Sequence, residues 1–384
     1  MPGIYSLRGI VKHYDWGGYS FIPYLLRLEN KEKLPFAEYW MGIHPQGTSQ
    51  VMNEKGEWKE LTAYSNHLPY LFKVLDVKDM LSIQVHPSKA AAEKEFAREN
   101  AEGVPIDSPL RNYKDDNHKP ELMVALSGFW LLHGFKPSEE LVYTLLNVVE
   151  LRELLPIFNQ SGYQGLYKHI MEMPQAEVNR ILRPLVDNIS ALYIDQDASE
   201  GDEDFWAARA AKTFSKEGNI DRGVFSIYLL NLVHLKKGEG IFQVAGVPHA
   251  YLSGQNVEIM ANSDNVLRGG LTTKHIDVKE LMKHVKCEAT YPQIISGEIR
   301  ANGEKMYPTP APDFTLGVYE LKKDQTVSFS ASADEILLAI EGSVELNKNL
   351  PLKPGSPAAF VGAGQKLIIK ANTASIVFRA SVPI

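Results

Sequence analysis

The chain has 384 residues, 23% of them charged and 44% hydrophobic, a globular composition that excludes wholesale disorder and fits roughly two or three domains. The formal charge of -7 argues against nucleic acid as the main partner, because phosphate-backbone binding needs a basic face; a small anion held by a few local cations stays open. Cys287 is the single cysteine, so an intramolecular disulfide and a thiolate-cluster metal site are excluded, and a metal must take His, carboxylate or amide ligands.

The N-terminal stretch MPGIYSLRGIVKHYDWGGYS has no charged segment leading into an apolar one, as a secretory leader would. No segment reaches the ~18 apolar residues of a membrane span. A soluble, cytoplasmic protein with no membrane partner is expected. YLFKVLD (70–76) and MLSIQVHP (80–87) read as strands, being short, apolar and bounded by turn or charged residues. KAAAEKEFARENA (89–101) reads as a helix capped by Ser88. From Ser138 to about Asn219 apolar residues recur at three- and four-residue spacing, which predicts helices packed on a small core. Gly218 supplies a stop signal. Strand texture returns from Val224. Beyond residue 291, runs such as EILLAIEG, PAAFVG, KLIIKA and SIVFRASV predict an all-β barrel or sandwich.

Four stretches hold residues suited to chemistry. In SIQVHP (82–87), Gln84 and His86 share one strand face, while Ile83 and Val85 point to the other. In NYKDDNHKPELMVAL (112–126), His118, Lys119 and Glu121 lead into an apolar strand; a carboxylate at a strand mouth can bind metal, and a solvated turn is the plainer alternative. GEGIFQVAGVPHAY (238–251) resembles the second cupin motif in Gly238, Gly246 and His249. Val244 stands there in place of the usual Pro, and Ser253 in place of the common Asn. VEIMANSDNVLRGGLTTKH (257–275) places Glu258, Asp264, Arg268 and Lys274 close to that motif. Arg268 before Gly269 and Gly270 reads as a cation on a flexible loop with exposed backbone, suited to a phosphate or a developing oxyanion, or as an ordinary surface Arg. Gln84, His86, Glu121 and His249 together would supply an amide oxygen, two imidazoles and a carboxylate. That set suits Zn(II), with Mn, Fe and Co also open.

An internal repeat aligns LKKGEGIFQVAGVPHAY (235–251) with LKPGSPAAFVGAGQKLI (352–368) without gaps. Gly238 falls on Gly355 and His249 on Lys366, so a duplicated β-barrel whose second copy lacks the histidine is expected.

A wider likeness rests on YDWGG (14–18), EYWMGIHPQGTS (38–49), PYLFKVLD (69–76), LSIQVHP (81–87), NYKDDNHKPEL (112–122), GVPHAYLSG (246–254) and SDNVLRGGLTTKH (263–275). In these segments, and in their order, the chain resembles the type I mannose-6-phosphate isomerase family, zinc-dependent enzymes of the cupin class. The resemblance implies a mainly β fold of two cupin-like jelly-roll barrels with an α-helical domain. Residues 1–136 and 224–290 would form the metal-binding barrel, 137–223 the helical insert, and 291–384 a barrel without metal. It implies one Zn2+ held by Gln84, His86, Glu121 and His249, and Arg268 as the active-site arginine. His118, Lys119 and Asp264 match positions near the sugar and are candidates for proton transfer; Lys73, Tyr251, Glu258 and Lys274 are candidates for substrate binding. The implied reaction interconverts mannose 6-phosphate and fructose 6-phosphate through an enediol, supplying GDP-mannose precursor, in a monomer or weak dimer. His118 and Lys119 are adjacent, so on a strand only one would face the site. A cupin-type metal oxygenase, a non-catalytic sugar-binding double cupin and a relative of different sugar preference are the competing readings.

Overall fold

The computed structural model describes residues 3–66, 68–194 and 199–383, and it is mainly β with helices. Among the described residues, no helix is long and apolar enough to cross a membrane. Most strands fall into a ten-stranded and a nine-stranded sheet, with four more in a separate small sheet.

The ten-stranded sheet is organised around His249–Ala261, which pairs with Tyr70–Val77, Gln84–Val85, Glu121–Ala125 and Phe129–Phe135. Directly opposed residues project to the same face. One such row runs Trp40, Lys73, Glu258, Met123. Another runs Arg268, Gln84, His249, His133. Strict alternation along His249–Ala261 would put His249 and Glu258 on opposite faces. The register shifts between Tyr251 and Ser253, and a bulge of this kind reverses the alternation in the residues beyond it. His249, Tyr251 and Glu258 thereby share one face. Gly254 next to the shift has φ +125°, and a Cβ there would lie 2.6 Å from the Gly128 carbonyl oxygen, so a larger residue is barred.

The opposite face of this sheet is dry. Tyr70, Phe72, Val74, Leu122, Val257 and Ile259 pack against Leu316, Ile336, Leu338, Phe360 and Phe378 of the nine-stranded sheet, and against Phe314 just before it. At its other end Ile83, Val85, Leu132, Ala250 and Leu267 pack on a helical core that includes Tyr167, Leu182 and Trp206. Ile83 and Val85 thus lie in apolar packing, as alternation from Gln84 and His86 requires.

The Lys89–Ala101 helix starts at Ser88, whose hydroxyl accepts from the Ala91 amide. The helical zone comprises Ser138–Asn147, Leu155–Glu172, Gln175–Ile194 and Glu203–Phe214; 195–198 fall outside the described residues. Three local expectations need correction. The zone does not end before Val224, because Gly223–Leu229 is a further helix. All seven of its residues are buried, and an apolar run buried all round carries no period that separates helix from strand. Gly218 (φ +79°) lies in a turn beyond the true stop at Phe214. Within 80–87 only Gln84–Val85 is strand.

From residue 291 the described chain contains strands and no helix. The nine-stranded sheet also takes in Ile4–Arg8, Gln50–Met52 and Trp58–Glu60, with Ile4–Arg8 paired to Ala358–Val361. Residues 1–136 therefore do not lie strand for strand in the ten-stranded sheet. Pairing across 350 residues of chain leaves no local signal in composition. The repeat has a structural counterpart: Gly238 (φ +85°) and Gly355 (φ +96°) occupy equivalent turns, and His249 and Lys366 each open a strand. His249 is buried and Lys366 exposed.

Candidate metal centre and active site

Glu121 opens its strand and sits opposite Gln243 and Met260. His249 opens the central strand opposite Gln84. His86 lies one residue beyond Gln84–Val85. All three side chains are buried, and a ligand atom from each lies within 4.8 Å of the others. His86 Nε2 is 3.5 Å from Glu121 Oε1, and His249 Nε2 is 3.4 Å from Oε2.

The other ring nitrogens set the tautomers. His86 Nδ1 is 2.9 Å from the Asn265 carbonyl, and His249 Nδ1 is 3.0 Å from the Val247 carbonyl. A carbonyl only accepts, so each neutral ring carries its proton on Nδ1 and presents a bare Nε2. Buried His86 Nε2 has no hydrogen-bond partner. Burial holds the His86 pKa down to about 4. Burial pushes Glu121 up, yet the neighbouring Lys119 charge leads the groups that outweigh it and hold the carboxyl well below its ordinary value. In the tautomer that donates from Nδ1, both rings turn a lone-pair Nε2 toward the Glu121 carboxylate, a donor set that suits a divalent cation. Gln84 lines the same cavity.

A second cluster lies beside it. Lys73 Nζ donates to Glu258 Oε1 at 3.0 Å, and the Tyr251 hydroxyl donates to Glu258 Oε2 at 2.9 Å. Burial opposes the Lys73 charge, but Glu258, Glu38 and Glu121 overcome it and raise its pKa. Burial raises Glu258 against the pull of Lys73. Both side chains are almost fully buried. Glu258→Ala leaves the Lys73 ammonium buried with its nearest counter-charge gone, so the metal-free protein is expected to lose about 3–5 kcal/mol in a denaturant titration. A change below about 1 kcal/mol would mean that Lys73 finds another partner or water.

Lys119 and His118 point apart, although the strand alternation expected of them does not apply. Lys119 Nζ is 3.0 Å from Glu121 Oε1 and lines the cavity. His118 turns to Asp313, with Nε2 2.9 Å from Oδ2. Neither is on a strand, which begins only at Glu121. Asp264 lies against His44 Nε2 at 3.6 Å and accepts from Gln46 Nε2 at 2.8 Å. His44 is itself buried, edge-on to Trp40.

Arg268 stands in the Leu267–Arg268 strand opposite Gln84, and here the expectation of a flexible, exposed loop fails. Gly269 and Gly270 are buried, and the Gly269 amide donates to the Ile83 carbonyl at 2.9 Å. A Cβ on Gly269 would meet the Tyr167 hydroxyl at 2.5 Å, and one on Gly270 (φ +123°) would meet Gly223. The glycines make room for the helices. Burial pulls the Arg268 pKa down, and burial followed by the Arg268 charge does the same to Lys274. Among the described residues neither cation has a carboxylate within 4.0 Å.

Sequence reasoning missed Glu38, His44, His133 and Gln243. Glu38 lines the cavity and accepts from Trp40 Nε1. His133, opposite His249, has Nδ1 2.8 Å from Gln243 Oε1. A signal for Glu38 lay in EYWMGIHPQGTS, where two-residue spacing on the strand Glu38–Gly42 places Glu38 and Trp40 on one face.

Residues 4–138 match the family model for the catalytic domain of type I phosphomannose isomerase. Mannose-6-phosphate isomerase of Shigella flexneri is 38% identical, over 94% of this chain and 95% of its own. The enzyme of Rattus norvegicus is 32% identical, over 99% and 98%. A crystal structure of the Salmonella typhimurium enzyme bound to its substrate, fructose 6-phosphate, and a zinc atom superposes with a TM-score of 0.86 at 32% identity, covering 99% of this chain and all of that one. A zinc-bound structure of mannose 6-phosphate isomerase gives 0.87 at the same identity and 99% coverage. With identities above 30% over nearly its whole length, the chain belongs to the type I mannose-6-phosphate isomerase family.

Proposed function

We propose that this protein interconverts mannose 6-phosphate and fructose 6-phosphate, with Zn2+ held by Gln84, His86, Glu121 and His249. The observation that carries the reading is the convergence of two bare imidazole nitrogens on the Glu121 carboxylate in a buried cavity. Zinc, when bound, supplies Lewis-acid polarisation of the sugar oxygens at the reacting end.

The chain's own residues divide the remaining work. Aldose–ketose interchange takes a proton from C2 and returns it at C1, while a second proton moves between O2 and O1. Lys119 is assigned the transfer between the carbons, in the amine form that can accept a proton, because its nitrogen lines the cavity beside the donor set. Tyr251, Glu258 and Lys73 form one chain of hydrogen bonds that orients the sugar hydroxyls against the cavity wall. Arg268, half-buried, and Lys274, exposed, have no carboxylate within 4.0 Å among the described residues and are assigned to the phosphate. Asp264, held by His44 and Gln46, serves at the rim. The oxygenase and binding-module readings lose ground to family membership.

The finer architecture belongs to the same reading. A metal-bearing cupin-like jelly roll (1–136 with 224–290), a helical insert (137–223) and a C-terminal jelly roll without metal (291–384) are supported by the repeat and its matched glycine turns. The N-terminal strands cross into the second sheet. The lone cysteine suits a cytoplasmic protein, taken here as a monomer or weak dimer.

A coupled assay of the purified, metal-replete protein on mannose 6-phosphate tests the proposal. Interconversion is expected, with turnover of unphosphorylated mannose far lower. Binding of the hexose phosphate without interconversion would establish the binding-module reading instead.

A further inference from the structure

The part of the chain after residue 291 has no assigned role in the reaction, yet it reaches the active-site segment at a hydrogen bond between His118 and Asp313. His118 Nε2 lies 2.9 Å from Asp313 Oδ2, and both side chains are mostly buried, at 22% and 17% exposure. An ionised carboxylate only accepts, so the His118 ring donates to it from Nε2. Asp313 is anchored by its neighbour, because Phe314 is fully buried in the core between the two large sheets. It also borders a cavity of about 300 Å³ together with Asn117 and Asn262.

The segment that Asp313 grips is the one that delivers Lys119 and Glu121. Residues Asn117–Pro120 have no ladder of their own, since the strand begins at Glu121. One side of the segment is tied to a neighbouring loop: Asn117 donates to the Asn262 carbonyl at 3.0 Å, and Asn265 donates to the Asn117 carbonyl at 2.9 Å. The other side is held through His118. With the segment pinned at both sides, Lys119 is left to point at Glu121.

We propose that Asp313 is a positioning residue of the isomerase site: it fixes the His118 ring and, through it, the segment that carries Lys119 into the cavity. The inference rests on the isomerase reading above. It gives the metal-free C-terminal sheet a part in turnover.

The test is a double-mutant cycle on the metal-replete protein, reading kcat, KM for mannose 6-phosphate and zinc content. Asp313→Asn keeps size and removes charge; it is expected to lower kcat about tenfold or more, as displacement of a reacting group does, with KM and zinc content unchanged. His118→Ala is expected to lower kcat similarly. Asp313→Asn added to His118→Ala should cost nothing further, because a residue acting through His118 has no effect once His118 is gone. Asp313→Glu should recover part of the loss. Unchanged kcat in Asp313→Asn, or losses that multiply in the double variant, would overturn the proposal. If Asp313→Asn does not fold, the ring nitrogen shifts of His118 in the unmodified protein decide, assigned by comparison with His118→Gln: a proton on Nε2 supports the proposal and a bare Nε2 overturns it. Absence of turnover in the unmodified protein would instead refute the isomerase reading.

Discussion

Glu121→Ala is expected to abolish zinc retention and turnover together. The Glu121 carboxylate is the anion on which His86, His249 and Lys119 converge. Its removal leaves two bare imidazole nitrogens and a lysine ammonium in a buried space. A cation entering that space would meet the Lys119 charge with no carboxylate to offset it. His249→Ala acts on the same centre from the central strand and should give the same pair of losses. Metal catalysis contributes several kcal/mol, and about 1.4 kcal/mol is one decade in rate, so a fall of about a thousandfold or more is expected. Elemental analysis beside the coupled assay checks both readouts. A variant that holds no zinc yet turns over at the normal rate would sink the metal assignment.

Arg268→Ala is expected to lower kcat/KM for mannose 6-phosphate by about 10²–10³, the effect of removing a charge-stabilising donor from a preorganised site. The expectation follows from position as well as charge. Arg268 is fixed in a short strand directly opposite Gln84, it is held by buried glycines packed against Tyr167 and Gly223, and no carboxylate neutralises it. Arg268→Lys should recover only part, because lysine keeps the charge and loses the planar fork that meets phosphate with two parallel hydrogen bonds. The loss on unphosphorylated mannose should be much smaller. Equal losses on the two sugars would move Arg268 from the phosphate to the reacting carbons.

The elements that local rules govern were legible in the sequence. Ser88 capping Lys89–Ala101, the apolar backing of Gln84 and His86, and the strand over 70–76 follow from capping chemistry and from a period of two. The repeat alignment pairs His249 with Lys366, and each opens a strand. What escaped is what long-range pairing decides. Glu38 and His133 join the site through strands paired far apart in sequence, and Ile4–Arg8 crosses to the second sheet. Glu258 faces His249 only because the register shifts after Tyr251, which alternation alone would deny. Gly269 and Gly270 were misread because a glycine pair looks the same in text whether it frees the backbone or admits a neighbour. The choice between His118 and Lys119 also needed Asp313, 195 residues further on.

The central claim is that a metal held by Gln84, His86, Glu121 and His249 is required for aldose–ketose interconversion. The direct measurement is turnover of mannose 6-phosphate against bound zinc, as the purified protein is stripped with a chelator and then titrated with Zn2+. The account predicts that activity falls with the metal, returns in proportion to zinc added, and saturates at equimolar metal and chain, with no recovery in Glu121→Ala. Full turnover by the stripped protein, or recovery in Glu121→Ala equal to that of the unmodified chain, would contradict it.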